Sequence, residues 1–135
     1  MPPLNHAVLS ASLAYRWLEC PPSALATADI PDETTIYAQE GSAAHEMAEY
    51  KIRWHLGEKD LAPPNIGNFH AEEIDRYTDS YAYYATDKIE TIRKICPDAI
   101  VMVEQRLDFS NYVKDGFGTG DLGIVADDGI QVLDF

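Results

Sequence analysis

The spacing of apolar positions changes character near residue 98. Before that point apolar residues recur at helical intervals, and after it they fall into short runs rich in β-branched residues. The stretch LAYRWLEC (13–20) follows Ser10 and Ser12, either of which could cap a helix by accepting a backbone N–H. Cys20-Pro21-Pro22 ends that helix, because proline disfavours helix in the residue before it. Residues 23–40 read as an irregular connection, with a turn at Pro31-Asp32 and a brief extended piece at TTIYA. Gly41-Ser42 then opens a strong helical pattern with Ser42 as its N-cap and Glu46 shortly after. Ala44, Met47, Ala48, Ile52 and Leu56 recur close to a 3.6 period, and Gly57 supplies a C-terminal stop.

LAPPNIGN reads as a loop, followed by a long helix from about Phe69 to Ile95. Its stripe of Ile74, Tyr77, Tyr81, Tyr84, Ile89 and Ile92 suits a core or interface face. Cys96-Pro97-Asp98 ends it. AIVMVEQRLDF, GTGDLGIVA and IQVLDF then read as three strands. Asp127-Asp128-Gly129 between the last two is a hairpin signal, since Asp-Gly suits turns that need positive φ. The predicted class is mixed α+β, or α/β in the broad sense: N-terminal helices, then a three-strand antiparallel meander. One domain over residues 1–135 is expected, with an opening helix and loop at 1–40, a helical part at 41–97 and a sheet at 98–135.

Composition narrows the setting. Hydrophobic residues make up 46% and charged residues 24%, which suits a globular chain rather than a disordered one. No apolar run approaches the roughly 20 residues of a membrane span. The start MPPLNHAVLS lacks the basic and apolar segments of a signal peptide, so a cytoplasmic setting without membrane contact is expected. Cys20 and Cys96 are too few for a disulfide scaffold and form no CxxC pair. The net charge of −13, with ten Lys and Arg residues, is unlike a nucleic-acid-binding surface, which draws its affinity from basic groups at phosphates. Either the basic surface lies elsewhere, or the chain does not bind nucleic acid by itself.

The residues with candidate chemistry are His45, Asp121 and Asp134. With a turn at 127–129, Asp121 and Asp134 fall opposite one another across the hairpin. Opposed residues share a face, with Cβ atoms about 4.5–5.5 Å apart. Two carboxylates that close repel unless a cation lies between them. Oxygen ligands suit Mg²⁺, and an added imidazole shifts the preference toward Mn²⁺. Each residue alone has a plainer reading: Asp121 satisfying turn amides, Asp134 solvated at a strand end, His45 packed on a helix.

Gly41-Ser42-Ala43-Ala44-His45, then Gly118-Thr119-Gly120-Asp121, then Val132-Leu133-Asp134-Phe135 stand in the order of three motifs: GxxxH, GxxD and a strand ending in (D/E)xK. Ser10-Ala11-Ser12 and Cys20-Pro21 add an SxS…CP opening. The set resembles RecB-type nucleases of the PD-(D/E)XK superfamily, most closely a phage-associated RecB-like group with RWLxCPxS, YAxEG and GTxD signatures. The resemblance spans nearly the whole chain. It implies the front half of a restriction-endonuclease-like core and metal-dependent hydrolysis of DNA phosphodiesters. It implies His45, Asp121, Asp134 and the backbone carbonyl of Phe135 as ligands of Mg²⁺ or Mn²⁺, with Asp121 and Asp134 catalytic. Glu104 would be an ancillary acidic residue, and Glu49, one helical turn from His45, could orient the imidazole. An exposed strand glutamate and an ordinary helix-surface glutamate are the alternatives for these two. No iron–sulfur cluster is expected, because Cys96 does not match a ligand position.

The family's lysine would stand one residue after Phe135. The sequence alone therefore leaves three expectations: an N-terminal piece of a nuclease, a domain completed by a partner chain, or a catalytically dead relative. The first would meet DNA through its missing C-terminal part. In the last, the charge of −13 suggests a binding or inhibitor protein that imitates DNA.

Overall fold

The computed structural model describes residues 7–31 and 35–135. It is a mixed α+β structure of helices followed by a three-stranded antiparallel sheet, the class predicted from the pattern. Among the described residues, no helix is long and apolar enough to cross a membrane. Residues 7–31 with 106–119 form one compact unit, and residues 35–105 with 120–135 form a second.

In the first unit, a 3-10 turn at Ala11–Leu13 runs into helix α1 (Ala14–Glu19). Neither expected serine cap forms there: Ser10 has extended backbone but makes no side-chain cap bond. Its carbonyl instead accepts a 2.8 Å bond from Trp17 Nε1, and its hydroxyl lies 3.3 Å from that of Ser12. Cys20 does end α1, as the following proline requires. A second short helix, α2 (Pro22–Ala26), stands where an irregular connection was expected. Pro22 is suited to a first helical turn, where its missing N–H would have no partner in any case. Elsewhere in this unit, Phe109 N–H donates to Gly116 O at 3.0 Å. A Cβ at Gly116 would lie 2.7 Å from both the Phe109 ring and the Val113 carbonyl oxygen, so this close turn demands glycine.

The second unit is built on helices α3 (Ile36–His55) and α4 (Ala71–Ile95). Helix α3 begins earlier than its sequence suggests. Thr35, not Ser42, is the N-cap, its hydroxyl accepting a 3.1 Å bond from Ala38 N–H. TTIYA is therefore helical from Ile36 rather than extended; Thr34, like Asp32 of the predicted turn, lies outside the described residues. Ser42 sits inside the helix and donates to Ala38 O. Gly41 is tolerated mid-helix because buried Ala43, Met47, Ala48 and Ile52 give α3 a packing face that outweighs one poor propensity.

Helix α4 matches the expected span to within two residues at its start. Glu72 and Glu73 in its first turn and Arg93 and Lys94 in its last oppose the helix dipole favourably. Lys51 of α3 joins the two helices. Its ammonium donates to Asp75 O and Oδ1, Thr78 Oγ1 and Asp79 Oδ1.

Strands β1 (Ile100–Asp108), β2 (Phe117–Ala126) and β3 (Gly129–Leu133) form a sheet in the order β1-β2-β3. In the second unit, Ile52, Ala82, Ala85 and Ile89 of the helices pack with Val103, Leu122 and Ile124 of the sheet. The β2–β3 register runs from Ala126↔Gly129 to Leu122↔Leu133, as the turn position implied. The β3 edge carries Ile130 and Val132 exposed at 67% and 72%.

Candidate metal centre

All the groups of the candidate site belong to the second unit. Helix α3 supplies His45, whose Nδ1 lies 3.5 Å from Asp121 Oδ2 and 3.7 Å from Glu104 Oε1. The three side chains can each point one ligand atom into a cluster in which all the atoms lie within 4.8 Å of one another. Their side chains are 38%, 24% and 13% exposed for His45, Glu104 and Asp121, so the cluster is sheltered yet open to solvent.

Strand β2 supplies Asp121. The register carried one residue beyond Leu122↔Leu133 sets Asp121 against Asp134. Asp121 Oδ2 also accepts a 2.8 Å bond from the backbone N–H of Phe135. The carboxylate is thus fixed by the chain just beyond β3. The Phe135 ring meets His45 edge-on at a centroid distance of 5.3 Å and lies against Tyr81 of α4 at 4.9 Å. Of the site residues read from the sequence, His45 and Asp121 share the ligand-atom cluster, while Asp134 bonds Asp121 from outside it and Phe135 borders it. Phe135 takes part through its N–H and its ring.

Glu104, the expected ancillary acidic residue, lies in the cluster with His45 and Asp121. It lies inside β1 but has φ of +46°, a conformation that residues other than Gly, Asn and Asp rarely adopt. Such a residue costs roughly 1–2 kcal/mol. A left-handed residue inside a strand acts as a bulge does, bending the strand and re-aiming the side chain. At Glu104 this brings the carboxylate to His45 and Asp121. The one sequence signal for it was an acidic residue closing the apolar run AIVMVE.

Glu49 lies one turn from His45, but its carboxylate accepts a 2.7 Å bond from Arg53 Nε. Arg53, which the sequence reading did not single out, also donates to Glu58 Oε1 at 3.3 Å and to Val103 O at 2.9 Å.

The electrostatics are those of crowded negative charge. Burial, followed by the charge of Asp121, holds the Glu104 carboxyl above its ordinary value, partly offset by His45. The hydrogen bond that Asp134 shares with Asp121, and then the charge of Asp121, raises the Asp134 carboxyl. Burial, with the charges of Asp121, Glu104 and Asp134 behind it, pushes the Tyr81 phenol up to about 12. Its hydroxyl donates to Leu133 O at 3.5 Å, a long bond. One imidazole nitrogen beside several crowded carboxylate oxygens is a donor set that fits a hard or borderline divalent cation.

A second cluster joins Cys96, Asp98 and Asp127, with Cys96 Sγ donating to Asp98 Oδ1 at 3.3 Å. It brings the end of α4 together with the turn before β1 and the turn between β2 and β3.

Fold and site together define a mixed α+β protein with an imidazole–carboxylate cluster where α3 meets the strands. The chain belongs to a family described as protein of unknown function (DUF2800), whose model matches residues 6–135. No solved structure matches it.

Proposed function

We propose that this chain is a RecB-type nuclease domain of the PD-(D/E)XK superfamily whose His45, Glu104, Asp121 and Asp134 hold Mg²⁺ or Mn²⁺ for hydrolysis of DNA phosphodiesters. The observation that carries the reading is the convergence of His45, Glu104 and Asp121 ligand atoms within 4.8 Å. The Glu104 carboxyl, raised by burial and then by the charge of Asp121, and the Asp134 carboxyl, raised by its hydrogen bond with Asp121 and then by that charge, support it, because a cation would relieve the charge part of both. When bound, such an ion lowers the pKa of a water and stabilises charge on a phosphodiester.

The protein's own groups supply position. The Phe135 N–H fixes one oxygen of Asp121, and the Phe135 ring restrains the His45 imidazole. The Tyr81 phenol, whose pKa is about 12, stays protonated beside the carboxylates at neutral pH and adds no charge to them. A lysine after Phe135, as in the family the motifs resemble, would complete the catalytic set. The reading places the chain in the cytoplasm, as a DNA nuclease domain of phage or mobile-element origin.

Mn²⁺ titration by calorimetry tests the site. Binding by the wild type is expected to weaken in His45→Ala, Glu104→Ala and Asp121→Ala, and unchanged affinity in all three overturns it. DNA cleavage is then assayed on the natural gene product with Mn²⁺ or Mg²⁺.

The charge of −13 supports a second reading, an acidic domain that occupies the basic cleft of a nucleic-acid-binding partner. That reading expects metal-independent capture of such a partner, weakened by salt. Failure to capture any basic nucleic-acid enzyme at low salt counts against it.

A further inference from the structure

The left-handed Glu104 directly follows a carbonyl that is bonded from outside its own strand. The peptide entering it ends in the Val103 carbonyl, and that oxygen accepts a 2.9 Å bond from Arg53 Nη2. The Arg53 fork is itself fixed. Its Nε bonds Glu49 one turn earlier on α3, and its Nη1 bonds Glu58 just past the helix end. The guanidinium thus links α3, the turn after it and the β1 backbone at the residue before Glu104.

From this geometry we infer that Arg53 is the positioning residue of the metal site, setting Glu104 as a ligand beside His45 and Asp121 by clamping the Val103 carbonyl. The inference rests on the metal-binding reading and extends it to a residue that touches no ligand atom of the cluster. Arginine suits the role because its planar fork reaches acceptors in several directions at once, which a lysine ammonium at the end of a flexible stem does not. His45, Glu49 and Arg53 are successive i, i+4 positions of α3, so one helix stripe carries both a ligand and the clamp.

The test compares Mn²⁺ affinity by calorimetry with the three-bond HN–Hα coupling of Glu104 by NMR, in wild type, Arg53→Met, Arg53→Lys, Glu104→Gln and Arg53→Met/Glu104→Gln. Removing a group that orients a ligand is expected to weaken Mn²⁺ binding by about tenfold or more. Arg53→Met should also move the Glu104 coupling toward the larger value of an extended strand residue. Arg53→Lys keeps the charge and should restore affinity only in part, and it serves if Arg53→Met does not fold. The double variant should bind no more weakly than Glu104→Gln alone, because both changes remove the same contribution. An unchanged coupling and affinity in Arg53→Met and Arg53→Lys, or losses that add in the double variant, overturn the inference. A wild type that takes up no Mn²⁺ overturns the metal reading instead, and the Glu104 coupling, which needs no metal, still reports whether Arg53 holds the left-handed conformation.

Discussion

The backbone N–H of Phe135 donates a 2.8 Å hydrogen bond to Oδ2 of Asp121, the same oxygen that lies 3.5 Å from His45 Nδ1. A candidate ligand atom is thereby fixed from one side by the main chain and faces an imidazole on the other. Asp121→Asn keeps an oxygen that can accept from Phe135 but removes the charge that crowds Glu104 and Asp134. The expected outcome is a metal-free melting temperature equal to or above that of the wild type, with Mn²⁺ affinity lowered more than about tenfold. Differential scanning calorimetry and Mn²⁺ titration on the same samples check the pair of effects.

Glu104 gives the metal-free protein a pH dependence of known sign. Its folded carboxyl is raised, chiefly by burial, so its stabilising contribution is fully present below the ordinary glutamate value and is lost as pH rises through the raised one. Stability of the metal-free chain should therefore increase on acidification from neutral pH toward the carboxylate range. Glu104→Gln should flatten that slope. Mn²⁺ at neutral pH should raise the wild-type melting temperature by mass action and do so less in the variant. A slope that is identical in the two proteins would show that Glu104 does not sense the cluster.

Tyr81 provides an alkaline counterpart. Its phenol is raised to about 12 from an ordinary value of 10.0, so its contribution to stability is present below the ordinary value and lost as pH rises through the folded one. A phenolate absorbance titration of the folded protein should show one late-titrating tyrosine among the eight in the chain. Tyr81→Phe should remove that late step. If the full set titrates together in wild type, the phenol is not screened from solvent beside the carboxylates.

Gly41 sits within α3, and a Cβ there would meet nothing within 4 Å. Gly41→Ala should raise stability in urea unfolding by roughly 0.5–1 kcal/mol, the helix-interior difference between the two residues. Mn²⁺ affinity should be unchanged, since the added methyl points into open space. A loss of affinity would mean that the glycine of the GxxxH motif serves an approaching ligand rather than the helix.

How far these features were legible differs from residue to residue. The pairing of Asp121 with Asp134 could be counted from Asp127-Asp128-Gly129, because a tight turn fixes hairpin register and register fixes which residues oppose. The long α4 was legible from its apolar stripe and from the proline after Cys96. The start of α3 was not, because Gly41-Ser42 carries the local marks of a helix start. The cap that forms is Thr35, and what extends the helix through a glycine is tertiary packing of Ala43 and Met47, which no local pattern reports. Glu104 was hardest. Positive φ at a glutamate leaves no mark in the sequence, and the Arg53–Val103 bond beside it comes together only in the fold.

Among the described residues β3 is an outer strand of the sheet, and its exposed Ile130 and Val132 have a consequence for how the protein behaves as a colloid. Unpaired strand edges invite the same edge on another molecule. At neutral pH the charge of −13 keeps such molecules apart. Near the isoelectric point of about 4.4 that repulsion vanishes while the edge is unchanged. Solubility should accordingly fall to a minimum there, and a lysine at Val132 should relieve it by placing charge on the edge itself.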